Sequence, residues 1–326
     1  MLSAGLYQSC AHHNSLRRLR GQRSCRPSPW IAHAAQQVPQ PTSPQGPILV
    51  AIPSSQEAAI KDAAKAVAYE LKDVTLTKSN KGFSKSKAGK VWTSVDIPTA
   101  QQGAAAQVSL VCQLVTLLAQ SLKGGPSFTV VFVDAQAAAL AAPAASPRAG
   151  GDKGAPTLPA GTRVLELRAA CREPVLSGSV LVLVGPKVAE VALVEQLVAE
   201  TWSGPAACLV NADLLTAGGV PDAQREFVSQ VGCAWAFQPV EVKGLLGNMT
   251  GAALKTAGPG DAGAWRILMS KPEVGGEQMV QIGQMRRRPS PSDLELAFIN
   301  ANASASPLTK LAGGLRGVLG GVGKKK

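Results

Sequence analysis

Three short apolar runs constrain this chain more than any other feature of it. They are Phe128-Thr129-Val130-Val131-Phe132-Val133, Val180-Leu181-Val182-Leu183-Val184 and Ala207-Cys208-Leu209-Val210. None shows the polar alternation of a half-solvated strand, so each reads as a strand covered on both faces. Between them lie segments with helical spacing. Val108, Val111, Val115, Leu118 and Leu122 recur at intervals of three and four before Lys123-Gly124-Gly125 stops the pattern. Buried strands alternating with helices predict an α/β, three-layer architecture around a largely parallel central sheet. Strand-like pieces near 233–243, 251–255, 265–270 and 278–285 follow one another without long helices, which predicts an antiparallel C-terminal extension.

The remaining elements follow from local signals. Pro47–Ile52 reads as a first strand and Val91–Pro98 as another. Ser54 and Glu57 have capping-box spacing ahead of Ile60, Val67 and Leu71 on a helix. Pro186 suits the start of a helix running to about Glu200. Pro221–Val231 forms a short helix, and Ser290-Pro291-Ser292-Asp293 opens a last one to about Asn302. Residues 143–162 are a mobile insertion rich in proline, glycine and alanine. No uninterrupted apolar run reaches about 18 residues, so no membrane-spanning helix is expected.

Charge divides the chain further. Before Glu57, the first acid, stand Arg17, Arg18, Arg20, Arg23 and Arg26, six serines between Ser3 and Ser43, and no lysine. That composition is that of an organelle transit peptide. Residues 1–45 therefore read as a leader with a proline-rich spacer, cleaved between 30 and 46. Residues 46–302 read as a single α/β domain, and 303–326 as a basic, glycine-rich tail. His12, His13 and His33 all fall in the leader, so its removal excludes histidine-based triads, metal sites and acid–base chemistry. Cys112, Cys171, Cys208 and Cys233 remain, without CxxC spacing, and read as buried free thiols.

Motifs for cofactors are weak. Gly258-Pro259-Gly260-Asp261-Ala262-Gly263 matches GxGxxG, but a strand rather than a helix follows, so it reads as a turn. No Walker A sequence is present, and no cofactor or metal is expected. The carboxyl ends of the parallel strands carry Asp134, Lys187, Asn211 and Asp213, a candidate ligand site for a phosphate-bearing or cationic molecule. The same residues suit helix caps and turns. A loop with Lys72, Lys78, Lys81, Lys85, Lys87 and Lys90 opposes a single acid, Asp73. With Arg286, Arg287 and Arg288, and Lys324, Lys325 and Lys326 of the tail, it supplies candidate contacts to an anionic surface. A peripheral membrane fits better than nucleic acid, because only Phe83 offers stacking in that loop.

Several segments together resemble a plant, algal and cyanobacterial domain of unknown function. It occurs in a chloroplast low-photosystem-II-accumulation factor and also fused to a plastid adenylate kinase. The likeness rests on Val130–Leu140, Leu209-Val210-Asn211-Ala212-Asp213-Leu214, Arg225-Glu226-Phe227, Gly251-Ala252 and Trp265, within about residues 46–302. The chain departs from the pattern at Ala212, where a proline is usual, and at Asp213, where a basic residue is usual. The family carries no agreed catalytic residues to transfer, and kinase motifs belong to the fused domain. The resemblance implies a non-enzymatic chloroplast factor, in the stroma or at the thylakoid surface, that assists assembly of photosystem II or other thylakoid proteins. The alternatives are a ligand-binding protein or enzyme using the sheet edge, a plastid RNA-binding protein using the lysine loop, and delivery to the mitochondrion.

Overall fold

The computed structural model describes residues 47–74, 90–99, 101–143, 157–215, 218–244, 247–258, 263–271, 274 and 276–305. All of them fall in the unit Gly46–Lys326. The leader, most of the lysine loop, the centre of the insertion and the tail beyond 305 lie outside the described residues.

Among the described residues, ten strands form one mixed sheet: β1 (Leu49–Ala51), β2 (Val91–Asp96), β3 (Phe128–Phe132), β4 (Arg163–Glu166), β5 (Val180–Val184), β6 (Ala206–Val210), β7 (Gly232–Gly244), β8 (Gly247–Thr256), β9 (Trp265–Met269) and β10 (Gln278–Met285). Their order is β1-β10-β9-β8-β7-β2-β6-β5-β3-β4. The pairs from β7 through β2, β6, β5 and β3 to β4 are parallel. Those from β7 outward through β8, β9 and β10 to β1 are antiparallel. The expected α/β sheet with an antiparallel extension is therefore the fold.

Seven α-helices lie among the described residues: α1 (Gln56–Glu70), α2 (Ala104–Ser121), α3 (Ala135–Ala141), α4 (Leu167–Arg172), α5 (Val191–Glu195), α6 (Asp222–Gln230) and α7 (Pro291–Ala305). Apolar side chains of α1, α2 and α3 share one core with one face of the parallel strands. Those of α4, α5 and α6 share another core with the opposite face. Every residue of β3, β5 and β6 is buried, as their unbroken apolar runs require. On β7, Trp235 joins the α1 side while Ala236 and the half-buried Cys233 join α7 through Leu294 and Phe298. Alternation along the strand thus puts α7 on the same face as α4–α6. α2 is long and apolar enough to cross a membrane, but Leu110, Val111, Leu114, Val115 and Leu118 are buried against the sheet. It serves here as a core helix.

Local chemistry differs from expectation at three places. The cap of α1 is Ser55 rather than Ser54: its Oγ accepts from the Ala58 N–H at 3.1 Å, the geometry that the residue immediately before the helix provides. The helix expected from Pro186 starts as a 3-10 turn at Val188–Glu190, continues as α5 and widens into a π-helical turn over Gln196–Thr201. The Lys90 ammonium caps that turn, donating to the carbonyls of Val198, Ala199 and Trp202. β4 and α4 emerge from a stretch with no strand or helix expected; four residues leave too little pattern to read. At the other end, Ser290 and Asp293 cap α7 reciprocally: Ser290 Oγ accepts from Asp293 N at 3.2 Å, and Asp293 Oδ2 accepts from Ser290 N at 2.9 Å.

Candidate functional site

In an open α/β sheet, ligands collect at carboxyl ends where neighbouring strands send their connections to opposite faces. This chain has such a point between β2 and β6, which pair in parallel. β2 leads to α2 on one face, and β6 leads to α6 on the other. A second lies between β3 and β5, which lead to α3 and α5. The four sequence candidates divide between these crevices. Asn211 and Asp213 follow β6, whereas Asp134 follows β3 and Lys187 follows β5.

Asn211 spans the first crevice. Its backbone is left-handed, with φ of 51°, a conformation that asparagine tolerates better than most residues. Its own N–H donates to Val95 O at 2.8 Å, continuing the ladder to β2. Its side-chain Oδ1 accepts from Ile97 N at 2.7 Å, and Nδ2 donates to Ile97 O at 3.0 Å. The amide thus mimics one more strand residue and ties the two diverging loops together. Asp213 begins a 3-10 turn, Asp213–Leu215, with its side chain exposed. In the second crevice Asp134 caps α3, its Oδ1 accepting from Gln136 N at 2.8 Å. Lys187 is exposed, and its backbone N–H donates to Glu190 Oε2 at 3.0 Å.

The basic candidates are likewise distributed by the fold. Lys78, Lys81, Lys85, Lys87, Lys324, Lys325 and Lys326 lie outside the described residues. Lys72 stacks over the Tyr69 ring at 4.0 Å. Lys90 caps the π turn, and burial lowers its pKa from the usual lysine value. Arg286 is exposed, Arg287 pairs with Asp293 at 3.1 Å, and Arg288 turns inward. Lys90 precedes β2, whereas Arg288 meets Asp96 at the far end of that strand. Lys90 and Arg288 therefore lie at opposite ends of the strand, roughly 20 Å apart at about 3.3 Å per residue.

Arg288 leads to a cluster that reading by segments missed. Its guanidinium lies 2.8 Å from Asp96 Oδ2 and 5.0 Å above the Trp265 ring. Only 24% of the arginine side chain and 17% of the aspartate side chain are exposed. Apart from this ion pair, the buried Oδ2 has no hydrogen-bond partner among the described residues. Burial raises the Asp96 pKa above the ordinary aspartate range, and Arg288 opposes the rise. Nearby, a β-bulge leaves Ala234 unpaired between the Ser94–Cys233 and Val95–Trp235 pairings. The cluster sits where the parallel sheet becomes antiparallel. It joins β2 to the segment between β10 and α7, residues nearly two hundred positions apart in sequence. Asp96 at a strand end and Trp265 were both visible, but nothing local marks them as partners.

The thiols are not poised for chemistry. Burial pushes Cys112 up to about 11 and Cys208 up to about 12; burial and then the Asp96 charge push Cys233 up to about 12. Cys208 pairs across from Thr93 and Cys233 from Ser94, with β2 between them. Two strand spacings separate their backbones by roughly 9.6 Å, beyond the ~7 Å reach of a disulfide.

The glycine-rich match at 258–263 connects β8 to β9, an antiparallel pair, with no helix after it. That placement removes the dinucleotide reading. Among the described residues, no three of His, Cys, Asp and Glu converge as a metal site. No curated protein and no solved structure matches the chain. The family described as "domain of unknown function (DUF1995)" matches residues 53–296, from the approach to α1 into α7. Across nearly all of its described fold, the chain belongs to the DUF1995 family.

Proposed function

We propose that this protein is a non-enzymatic chloroplast factor that assists the assembly of photosystem II or other thylakoid proteins. The observation that carries this reading is the use made of Asn211. Both ends of its amide are spent on the Ile97 backbone, at the crevice where an α/β enzyme of this topology holds its substrate. An edge tied in this way suits a rigid scaffold that presents surfaces to other proteins. The arginine- and serine-rich, acid-poor leader supports delivery to the plastid. The resemblance of several segments to a domain that also occurs in a low-photosystem-II-accumulation factor is what suggests the assembly role. Opposite placement of Lys90 and Arg288 weighs against one continuous RNA-binding face through both basic segments.

Contact with an anionic thylakoid surface fits the same role. Attraction is worth about 1 kcal/mol per basic residue near the surface and fades within a Debye length. The tail from 303 carries five basic residues and no acid. Flotation with anionic vesicles should show weak, salt-sensitive binding that drops when 303–326 are removed. Equal binding to neutral vesicles would contradict it.

The deciding experiment is crosslinking and affinity capture of the tagged chain from isolated chloroplasts. Enrichment of thylakoid membrane subunits over stromal proteins supports the assembly role. Capture of RNA, or nucleotide turnover that tracks the protein through purification, overturns it. Fusing residues 1–50 to a fluorescent protein tests delivery, and a cytosolic or mitochondrial signal rejects the chloroplast assignment.

A further inference from the structure

The last helix, α7, is apolar on two sides. Leu294, Ala297, Phe298 and Ala301 pack on the antiparallel end of the sheet. At about 3.6 residues per turn, Leu296 and Ile299 fall about half a turn away from that packed stripe. They are 60% and 49% exposed, and among the described residues they are the only pair of large exposed apolar side chains on one helix. The outer side of a surface helix is ordinarily charged or polar. Here Glu295 is the one charged residue exposed on α7 among the described residues. The face is also held firmly in place. The Arg288–Asp96 pair fixes the approach to the helix, and the reciprocal Ser290–Asp293 cap closes its first turn.

Charge indicates what this face meets. Arg286 and Arg287 are exposed ahead of the helix, but Glu295 and Asp293 balance them. The excess lies in the segment joined to the other end of α7. Residues 303–326 carry Lys310, Arg316, Lys324, Lys325 and Lys326 and no acid. Lys310 follows the last helical residue, Ala305, closely enough that covalent reach alone keeps it within about 18 Å of the helix end. A second copy of the chain is a poor cover, because two apposed faces would bring two such basic segments together. A specific protein partner buries about 800 Å² a side, more than two side chains offer. A bilayer needs no matching groove. Its headgroup boundary closes around single apolar side chains, and its anionic lipids attract the basic segment.

We propose that the outer face of α7 is an interfacial anchor, Leu296 and Ile299 entering the headgroup boundary of an anionic bilayer beside the basic tail. The proposal rests on the reading of an anionic thylakoid surface as a contact, and it supplies the apolar part of that contact. Glu295 lies one turn before Ile299 on the same side, so it faces the lipid phosphates and holds the affinity down.

Cosedimentation of the full chain with vesicles of equal parts phosphatidylcholine and phosphatidylglycerol tests it. Every variant keeps the same leader, so the leader arginines cancel from the comparison. Leu296→Gln combined with Ile299→Gln should weaken binding by about tenfold or more, with an unaltered circular-dichroism spectrum. Glu295→Lys should strengthen it by about threefold or more at low salt and lose that gain at high salt. Undiminished binding by the double variant would overturn the anchor while leaving contact through the tail standing. No binding by wild type, or equal binding to pure phosphatidylcholine, would overturn both. A dimer in sedimentation velocity that the double variant abolishes would assign the face to a second copy and overturn the proposal. So would a chloroplast protein captured by wild type and lost from the double variant while vesicle binding stays unchanged.

Discussion

The two halves of the sheet reach a folded state by different means. In the parallel half, β3, β5 and β6 are buried at every position, and helices of opposite faces seal them. In the antiparallel half, only Val280 of β10 is buried and its other residues are half-buried or exposed, and α7 covers one face through Leu294 and Phe298. The first half depends on bulk apolarity, in which many residues share the load. The second depends on a few individual fits. Gly251 is one: a Cβ there would collide with the Leu268 carbonyl and come within 2.6 Å of Phe298 Cζ. The Arg288–Asp96 pair is another, since it fastens the approach to α7 onto β2.

Gly251→Ala should break that division most sharply. Overpacking against backbone and a buried ring is expected to cost about 3 kcal/mol or more. Hydrogen exchange should rise across β8, β9 and α7 while β3, β5 and β6 stay protected. Equal loss of protection in both halves would show that they fold as one unit. Arg288→Ala comes next, at about 2–3 kcal/mol, because it strands a largely buried carboxylate and removes a ring contact. Chemical denaturation of Arg288→Ala, Asp96→Asn and the double variant forms a cycle. Additive losses would deny the coupling.

Asn211 allows a finer cut inside the parallel half. Asn211→Ala should lose about 1–3 kcal/mol, from two hydrogen bonds and a left-handed backbone. Asn211→Gly keeps the backbone freedom and should recover about 1 kcal/mol of that. If alanine and glycine are equally tolerated, neither the strain nor the amide bridge matters.

Much of this layout was legible in the chain. The apolar runs at 128–133, 180–184 and 207–210 became β3, β5 and β6 because burial on both faces leaves a signature within five residues. Strand pieces after 232 matched β7, β9 and β10 to within a residue, while β8 begins four residues before the expected 251. What stayed hidden is whatever depends on two distant segments meeting. Arg288 looked like one of three surface arginines, yet its partner lies on β2 and its ring contact on β9. Lys90 looked like the last cation of a solvated loop, yet it caps the turn leading to Trp202. Asn211 was placed at a turn; its grip on Ile97 follows from the neighbourhood of β2 and β6, which spacing does not encode.

The smallest effects concern protons and thiols. Ser290 hydrogen bonds hold the Asp293 carboxyl below its ordinary 3.8, so its contribution is full above that value and lost as pH falls through the folded pKa. Asp96 runs the other way. Its folded pKa is raised, so the folded state keeps a proton that the unfolded chain releases near 3.8, and stability declines as pH climbs through the folded value. Thermal melts between pH 3 and 6 should therefore show Asp293→Asn weakest, relative to wild type, at the upper end, and Asp96→Asn missing the decline. Profiles parallel to wild type would contradict both assignments. Cys112 and Cys208 should resist a thiol reagent at pH 8 until the protein is unfolded. Rapid native-state labelling would mean that the parallel half opens more readily than its burial implies.

The pairing of β1 with β10 has a consequence in time. Leu49 finds its neighbour Val280 about 230 residues later in the chain. A segment delivered first must wait, unpaired, until the last strand is available. The helix-wrapped parallel strands, by contrast, can begin to close as soon as β6 has appeared. Contacts between such remote positions carry a large loop-closure cost and form late. Sheet completion at that edge is therefore the final step of a vectorial process. During that interval β1 remains a bare strand edge, open to any chaperone that reads extended backbone.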